Sequence, residues 1–167
     1  MSSLSVEIDS IVGMPDREEA YLALAKRYLD GSEEEQRYIA EKWDFGVTWK
    51  YPNQARLACK KGEHRSSRER LEASLAYYAI SAQAGGDPRD VLVALAVIYH
   101  SCKAAGLDPA TVFKKVAKVS PKVVQTLLND FLARADTDKS LAAFSLVEVR
   151  NNEGETEIRP SWISASS

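Results

Sequence analysis

Between Asp87 and Gly106 the chain reads DPRDVLVALAVIYHSCKAAG, a stretch bounded as a helix is and apolar on nearly every side. At about 100° per residue, Val91, Leu92, Leu95, Ile98, Tyr99 and Cys102 cover one side, and Val93, Ala96, Val97 and Ala104 cover the other. Asp87 can accept from the free N–H groups of the first turn, Pro88 gives up nothing there, and Gly106 suits the left-handed position just past the end. A helix without a wet face has to be surrounded by other segments. The pattern therefore predicts a buried central helix over 88–104.

The flanking sequence supplies segments to surround it. Tyr21, Leu22, Ala25, Tyr28 and Leu29 share a helical face, and Ser32 to Glu35 is a capping box that opens a second helix with Ile39 and Trp43 as its stripe. A short helix is expected over 53–61, after an aromatic-rich loop, and GEHRSSRER is expected as a polar connection capped by Ser66 or Ser67. Leu71, Leu75, Tyr78 and Ala82, with Ala73, Tyr77 and Ile80 opposite, make a long helix ending at Gly85-Gly86, which turns it back onto 88–104 as an antiparallel hairpin. Asp108-Pro109 and Ser120-Pro121 start two more helices, the second with a stripe of Val124, Leu127, Leu128, Phe131 and Leu132. The end changes period. SLVEVR and ETEIR alternate around Asn151 to Gly154, which predicts a β-hairpin.

The fold class is thus mainly α: a multi-helix bundle of antiparallel helical hairpins around the central helix, with a small C-terminal β-hairpin. At 167 residues the chain reads as a single domain, large enough to bury roughly two thirds of its unfolded surface. Residues 1–14 are expected as a docked or flexible tail and 161–167 as a flexible one. The beginning lacks a basic stretch followed by an apolar core, so it does not read as a secretory signal, and no window approaches a membrane span. Cys59 and Cys102 read as reduced, and the expected location is cytoplasmic.

Charge is unevenly spread although the net value is only −2. Residues 1–46 hold 11 acids and 5 bases, whereas residues 47–70 hold 7 bases and 2 acids. This basic island follows Trp43, Phe45, Trp49 and Tyr51. Aromatic and arginine side chains are the types that anchor protein interfaces, so Trp49, Tyr51, Arg56, Lys60, Lys61, Arg65 and Arg68 are the candidate partner-binding residues, for a protein partner of acidic character. The competing explanation is that these bases balance the acidic first 46 residues within the same molecule.

Two further readings compete with protein binding. Residues 113–129, FKKVAKVSPKVVQTLLN, resemble a helix-turn-helix, with Val124 and Leu128 inward and Lys122, Gln125, Thr126 and Asn129 placed as base readers. Lys114 and Lys118 depart from that pattern, where a small residue and a glycine are usual. An enzyme is the other alternative. The nucleophile-elbow, phosphate-loop, dinucleotide and zinc-protease motifs are absent, so a site has to be assembled by the fold around His100, with Asp44, Tyr77, Tyr78 and Tyr99 to inspect. His64 and Cys59 lack two further ligands, so no metal or other cofactor is expected. The leading reading is a non-enzymatic protein-binding module, such as an adaptor, inhibitor or immunity-type partner, with the C-terminal hairpin as a place for homodimerisation.

Overall fold

The computed structural model describes residues 3–42, 50–137 and 146–160; the side chains of 3–5, 17, 18, 50, 51, 64–66 and 160 lie outside that description. Eight helices are present among these residues: α1 (Ser3–Val12), α2 (Arg17–Asp30), α3 (Glu33–Lys42), α4 (Lys50–Lys60), α5 (His64–Gln83), α6 (Pro88–Ala104), α7 (Pro109–Val119) and α8 (Lys122–Thr137). An antiparallel hairpin, β1 (Leu146–Arg150) and β2 (Thr156–Pro160), follows.

The central helix forms as its ends dictate. Asp87 accepts from the Arg89 N–H at 2.9 Å, and Gly106 takes φ +75°. The same device starts α7, where Asp108 accepts from the Ala110 N–H at 3.1 Å. Val91 and the run from Val93 to Tyr99 are buried on both sides of α6, and Leu95 is sealed completely. α5 shares the centre with it. From Leu71 to Ser81 almost every residue of α5 is buried, and α5 touches α2, α3, α4, α6, α7 and α8. Its alanines at 73, 76, 79 and 82 let neighbouring backbones come close. At the turn Gly85 takes φ +88°, and Gly86 is required by space, because a Cβ there would stand 2.8 Å from the Ser81 carbonyl oxygen.

Residues 3–12, expected as a docked or flexible tail, are docked as a helix with Ile8 fully buried. Two local expectations are corrected. The segment GEHRSSRER is largely the first two turns of α5. Ser67 lies inside that helix as a buried residue, and its hydroxyl donates across to the Ala55 carbonyl at 2.7 Å instead of capping. The capping box at α3 is half made: the Ser32 hydroxyl accepts from the Glu35 N–H at 3.3 Å, but the Glu35 carboxylate is held by Arg27 at 2.8 Å. Trp43 and the aromatic loop through Trp49 lie outside the described residues.

The hairpin forms with Glu148 opposite Ile158 and Arg150 opposite Thr156, so Glu155, expected to open the second strand, belongs to the turn with Asn151 to Gly154 and the register is shifted by one residue. The Asn151 side chain accepts from the Glu153 and Glu155 N–H groups, and Gly154 takes φ +78°. A two-stranded ribbon is marginal alone, and here it lies on the helices, with Ile158 buried and β2 against α6.

Leu95→Ala leaves a void in the core around α6 and should cost about 2–5 kcal/mol in urea denaturation. A loss below about 1 kcal/mol contradicts the burial of α6.

Candidate functional site

The hairpin docks through one side chain. Asn53, in the first turn of α4, accepts from the Ile158 N–H at 3.0 Å and donates to the Ile158 carbonyl at 3.4 Å, so its amide occupies the outer edge of β2 as another strand would. The same Asn53 oxygen accepts from Arg56 Nη1 at 3.1 Å. Arg56, expected from the sequence on a partner-facing surface, is instead 6% exposed. Its Nη2 stands 3.9 Å from Glu148 of β1, and among the described residues its Nε has no hydrogen-bond partner. Burial weakens the guanidinium's hold on its proton and Glu148 acts in the opposite sense; the group stays charged.

His100 lies beneath the same hairpin. It lines a cavity of about 220 Å³ with Leu146, Val147, Glu148 and Ile158. Burial holds the imidazole below its ordinary value, Arg56 pushes the same way, Glu148 opposes and Lys103 adds to the lowering. The tyrosines proposed to accompany it are placed apart. Tyr77 and Tyr78 are buried and meet edge to face at 5.0 Å, and Tyr77 also packs on Tyr21 of α2. Tyr99 donates to Asp136 of α8 at 3.2 Å, and Asp44 lies outside the described residues. Among the described residues, no group of three or more His, Cys, Asp or Glu is arranged to hold a metal ion.

The rest of the basic island turns outward. Lys60 and Lys61 flank the α4–α5 turn at Gly62, and Arg68 and Arg70 follow in α5; all four are exposed. Among the described residues none of them makes an ion pair. Two acids of the N-terminal part, Glu7 and Glu35, are held by Arg27 of α2, at 2.6 Å and 2.8 Å. The first turn of α5 holds no acidic residue, and Glu63 makes no capping hydrogen bond with its side chain, so the positive end of the helix adds to this corner. Trp49 lies outside the described residues, as do the side chains of Tyr51 and Arg65.

At α7 and α8, Val124 and Leu128 are buried, and Lys122, Thr126 and Asn129 are exposed. Gln125 spends its amide on the Ser120 carbonyl at 2.8 Å. Val123 is 83% exposed beside them. No protein-family model, curated protein or solved structure matches the chain.

The sequence missed Asn53 as the docking residue, because its partner is 105 positions away and the contact is to backbone. Asn53→Ala should leave the Ile158 N–H without its acceptor and speed its hydrogen exchange, consistent with a local cost of about 1–3 kcal/mol, and because it also takes the acceptor from buried Arg56 the melting temperature should fall. Unchanged protection at Ile158 contradicts the docking. The depressed His100 value has a definite sign. The unfolded chain binds the proton more readily, so stability present above about pH 6.5 is lost as pH falls through the folded-state value. His100→Gln should therefore flatten the fall in melting temperature between about pH 7 and about pH 5.5. An unaltered slope contradicts the half-buried placement of His100 beneath the hairpin.

Proposed function

We propose that this protein is a non-enzymatic binding module whose α4–α5 corner contacts an acidic protein partner through Lys60, Lys61 and Arg68. The observation that carries the reading is the pairing pattern. Lys60, Lys61 and Arg68 are exposed and have no ion pair among the described residues, whereas the ion pairs of Glu7 and Glu35 are made by Arg27 from within the same first 46 residues, so no contact ties the corner cations to that part of the chain. Exposed charges of one sign raise association rates and select partners of the other sign.

Localisation in the cytoplasm fits the two cysteines, which are free. Cys59 donates to the Ala105 carbonyl, and burial pushes the Cys102 thiol up to about 12, so it persists protonated as a small core residue. Among the described residues, no helix is long and apolar enough to cross a membrane. A second copy of the chain is the other partner considered, pairing along β1, since Asn53 occupies the edge of β2.

The test is a tagged purification from the native cells after nuclease treatment, with wild type beside a Lys60→Glu, Lys61→Glu, Arg68→Glu variant. The expected result is a stoichiometric protein that the variant loses at least about tenfold, with the melting temperature unchanged because exposed charges contribute little to stability. A complex that survives the triple reversal overturns the corner as the contact. Recovery of nucleic acid alone, lost on nuclease treatment, transfers the function to Lys122, Gln125, Thr126 and Asn129.

A further inference from the structure

The C-terminal hairpin is closed off on one edge only. Ile158 turns its N–H and carbonyl outward to Asn53, so its pair with Glu148 is one of the antiparallel pairs that exchange no hydrogen bonds. Glu148 therefore turns its own N–H and carbonyl away from β2, to the opposite edge. The Asn151 N–H donates to the Glu155 carbonyl, which fits the same alternation and turns the backbone of Arg150 outward as well. Among the described residues these outward groups of Glu148 and Arg150 have no hydrogen-bond partner. Natural sheet edges are commonly closed by proline, a bulge or lysine. β1 reads LVEVR and pairs without a bulge, so it has none of the three.

The charges on β1 indicate what fits against it. Glu148 and Arg150 have opposite sign, stand two residues apart on one face of the strand, and are both exposed. Arg150 makes no ion pair among the described residues, and that of Glu148 with Arg56 is long, at 3.9 Å. Val147 and Val149 lie on the other face, with Val147 38% exposed. Consider a second β1 laid antiparallel against the first about a two-fold axis at Val149. Each Glu148 then stands directly opposite Arg150 of the other copy, where the two backbones exchange hydrogen bonds. The two Val149 side chains meet on the other face as a β-branched cross-strand pair. Moving the axis by one residue sets Glu148 against Glu148 or Arg150 against Arg150, and like charges directly opposite are unfavourable. Moving it to Val147 sets Glu148 against Leu146. The strand is complementary to itself in the register centred on Val149.

We propose that two copies of this chain pair antiparallel through β1, centred on Val149, and join their hairpins into one continuous sheet. The helical body of each copy engages β2, through α6 and through Asn53 of α4, so it lies on the far side of the hairpin from the new contact. This inference gives the second-copy pairing named above its residues and its register, and it is independent of the corner at Lys60, Lys61 and Arg68.

The contact is small, so the test is sedimentation of the full chain from about 10 µM to about 1 mM, with amide hydrogen exchange measured at both ends of the range. A reversible dimer is expected. Protection of the Glu148 and Arg150 amides should rise with concentration, whereas Val147 and Val149, bonded to β2, stay protected throughout. Arg150→Glu turns both cross-copy ion pairs into repulsions and should weaken the dimer at least about tenfold. Arg150→Pro removes an outward donor without touching the β1–β2 ladder and should weaken it as well. Arg150 is exposed, so both variants should stay folded, which thermal melts check. In a glutathione redox buffer Val149→Cys should form a covalent dimer. Val147→Cys should not, because its two copies lie about 14 Å apart in this register; wild type run alongside accounts for Cys59 and Cys102. A chain that stays monomeric over the whole range overturns the proposal and leaves the edge to a strand of another protein. A dimer that leaves Glu148 and Arg150 unprotected, or that survives both Arg150 variants unchanged, overturns β1 as the contact while a second copy remains the partner. Cross-linking through Val147→Cys in place of Val149→Cys overturns the register.

Discussion

Mutual burial of α5 and α6 is the constraint on which the rest of the structure depends. Each is apolar around most of its circumference, and the Gly85-Gly86 turn folds one directly against the other. Two such helices cover only one side of each other, so the remaining sides have to be covered by something else. The covering is divided: α2 and α3 lie against α5, α4 bridges α5 and α6, α7 and α8 close over α5, and the hairpin covers part of α6. Size matters here, because a core of this extent leaves a marginal ribbon such as β1–β2 free to depend on the helices instead of supplying stability of its own.

Polar groups caught inside that covering set its details. The Asn53 amide replaces a missing strand at the edge of β2, which satisfies two backbone groups that would otherwise be shut away from water unpaired. Ser67 and Ser120 return their hydroxyls to the carbonyls of Ala55 and Val116. Gln36 reaches the carbonyls of Tyr28 and Val119 and so ties three helix ends together. None of these residues has a net charge to desolvate, so each can be buried at small cost once its partners are in place.

Legibility in the sequence followed the range of the interaction that decides each feature. The starts of α6 and α7 rest on side chains two residues from the groups they cap, and Asp87-Pro88 and Asp108-Pro109 announce them. The hairpin itself follows from alternation and from Asn151 to Gly154, but not its register, which the backbone bond from Asn151 to Glu155 sets one residue further on. The opening turns of α5 were hidden because GEHRSSRER is polar and carries a serine pair, whereas Ser67 is used across the fold, toward Ala55. α1 was hidden by its brevity, although Ile8, Ile11 and Val12 already have the spacing of one helical face. The basic island was visible as composition, but only packing separates Arg56, folded under the hairpin, from Lys60, Lys61 and Arg68 on the surface. Glu72 looked like any other acid in a helix until α7 was laid beside it.

Arg56 and Glu72 pose one physical problem with two outcomes. They sit on neighbouring helices, both are deeply buried, and each has as counter-ion a side chain that is mostly in water: Glu148, 63% exposed, for the arginine, and Lys115 for the carboxylate. Neither arrangement is justified by stability, since a well-packed apolar pair in the same space would do as well or better. For Arg56 the chain brings its own cover, because the C-terminal hairpin closes over the guanidinium and Asn53 serves both. For Glu72 the cover is a single side chain, Lys115 of α7, and the pair lines the groove between α2, α5 and α7. A buried charge whose surroundings are completed by the chain itself reads as architecture, and the way Asn53 and the hairpin enclose Arg56 is of that kind.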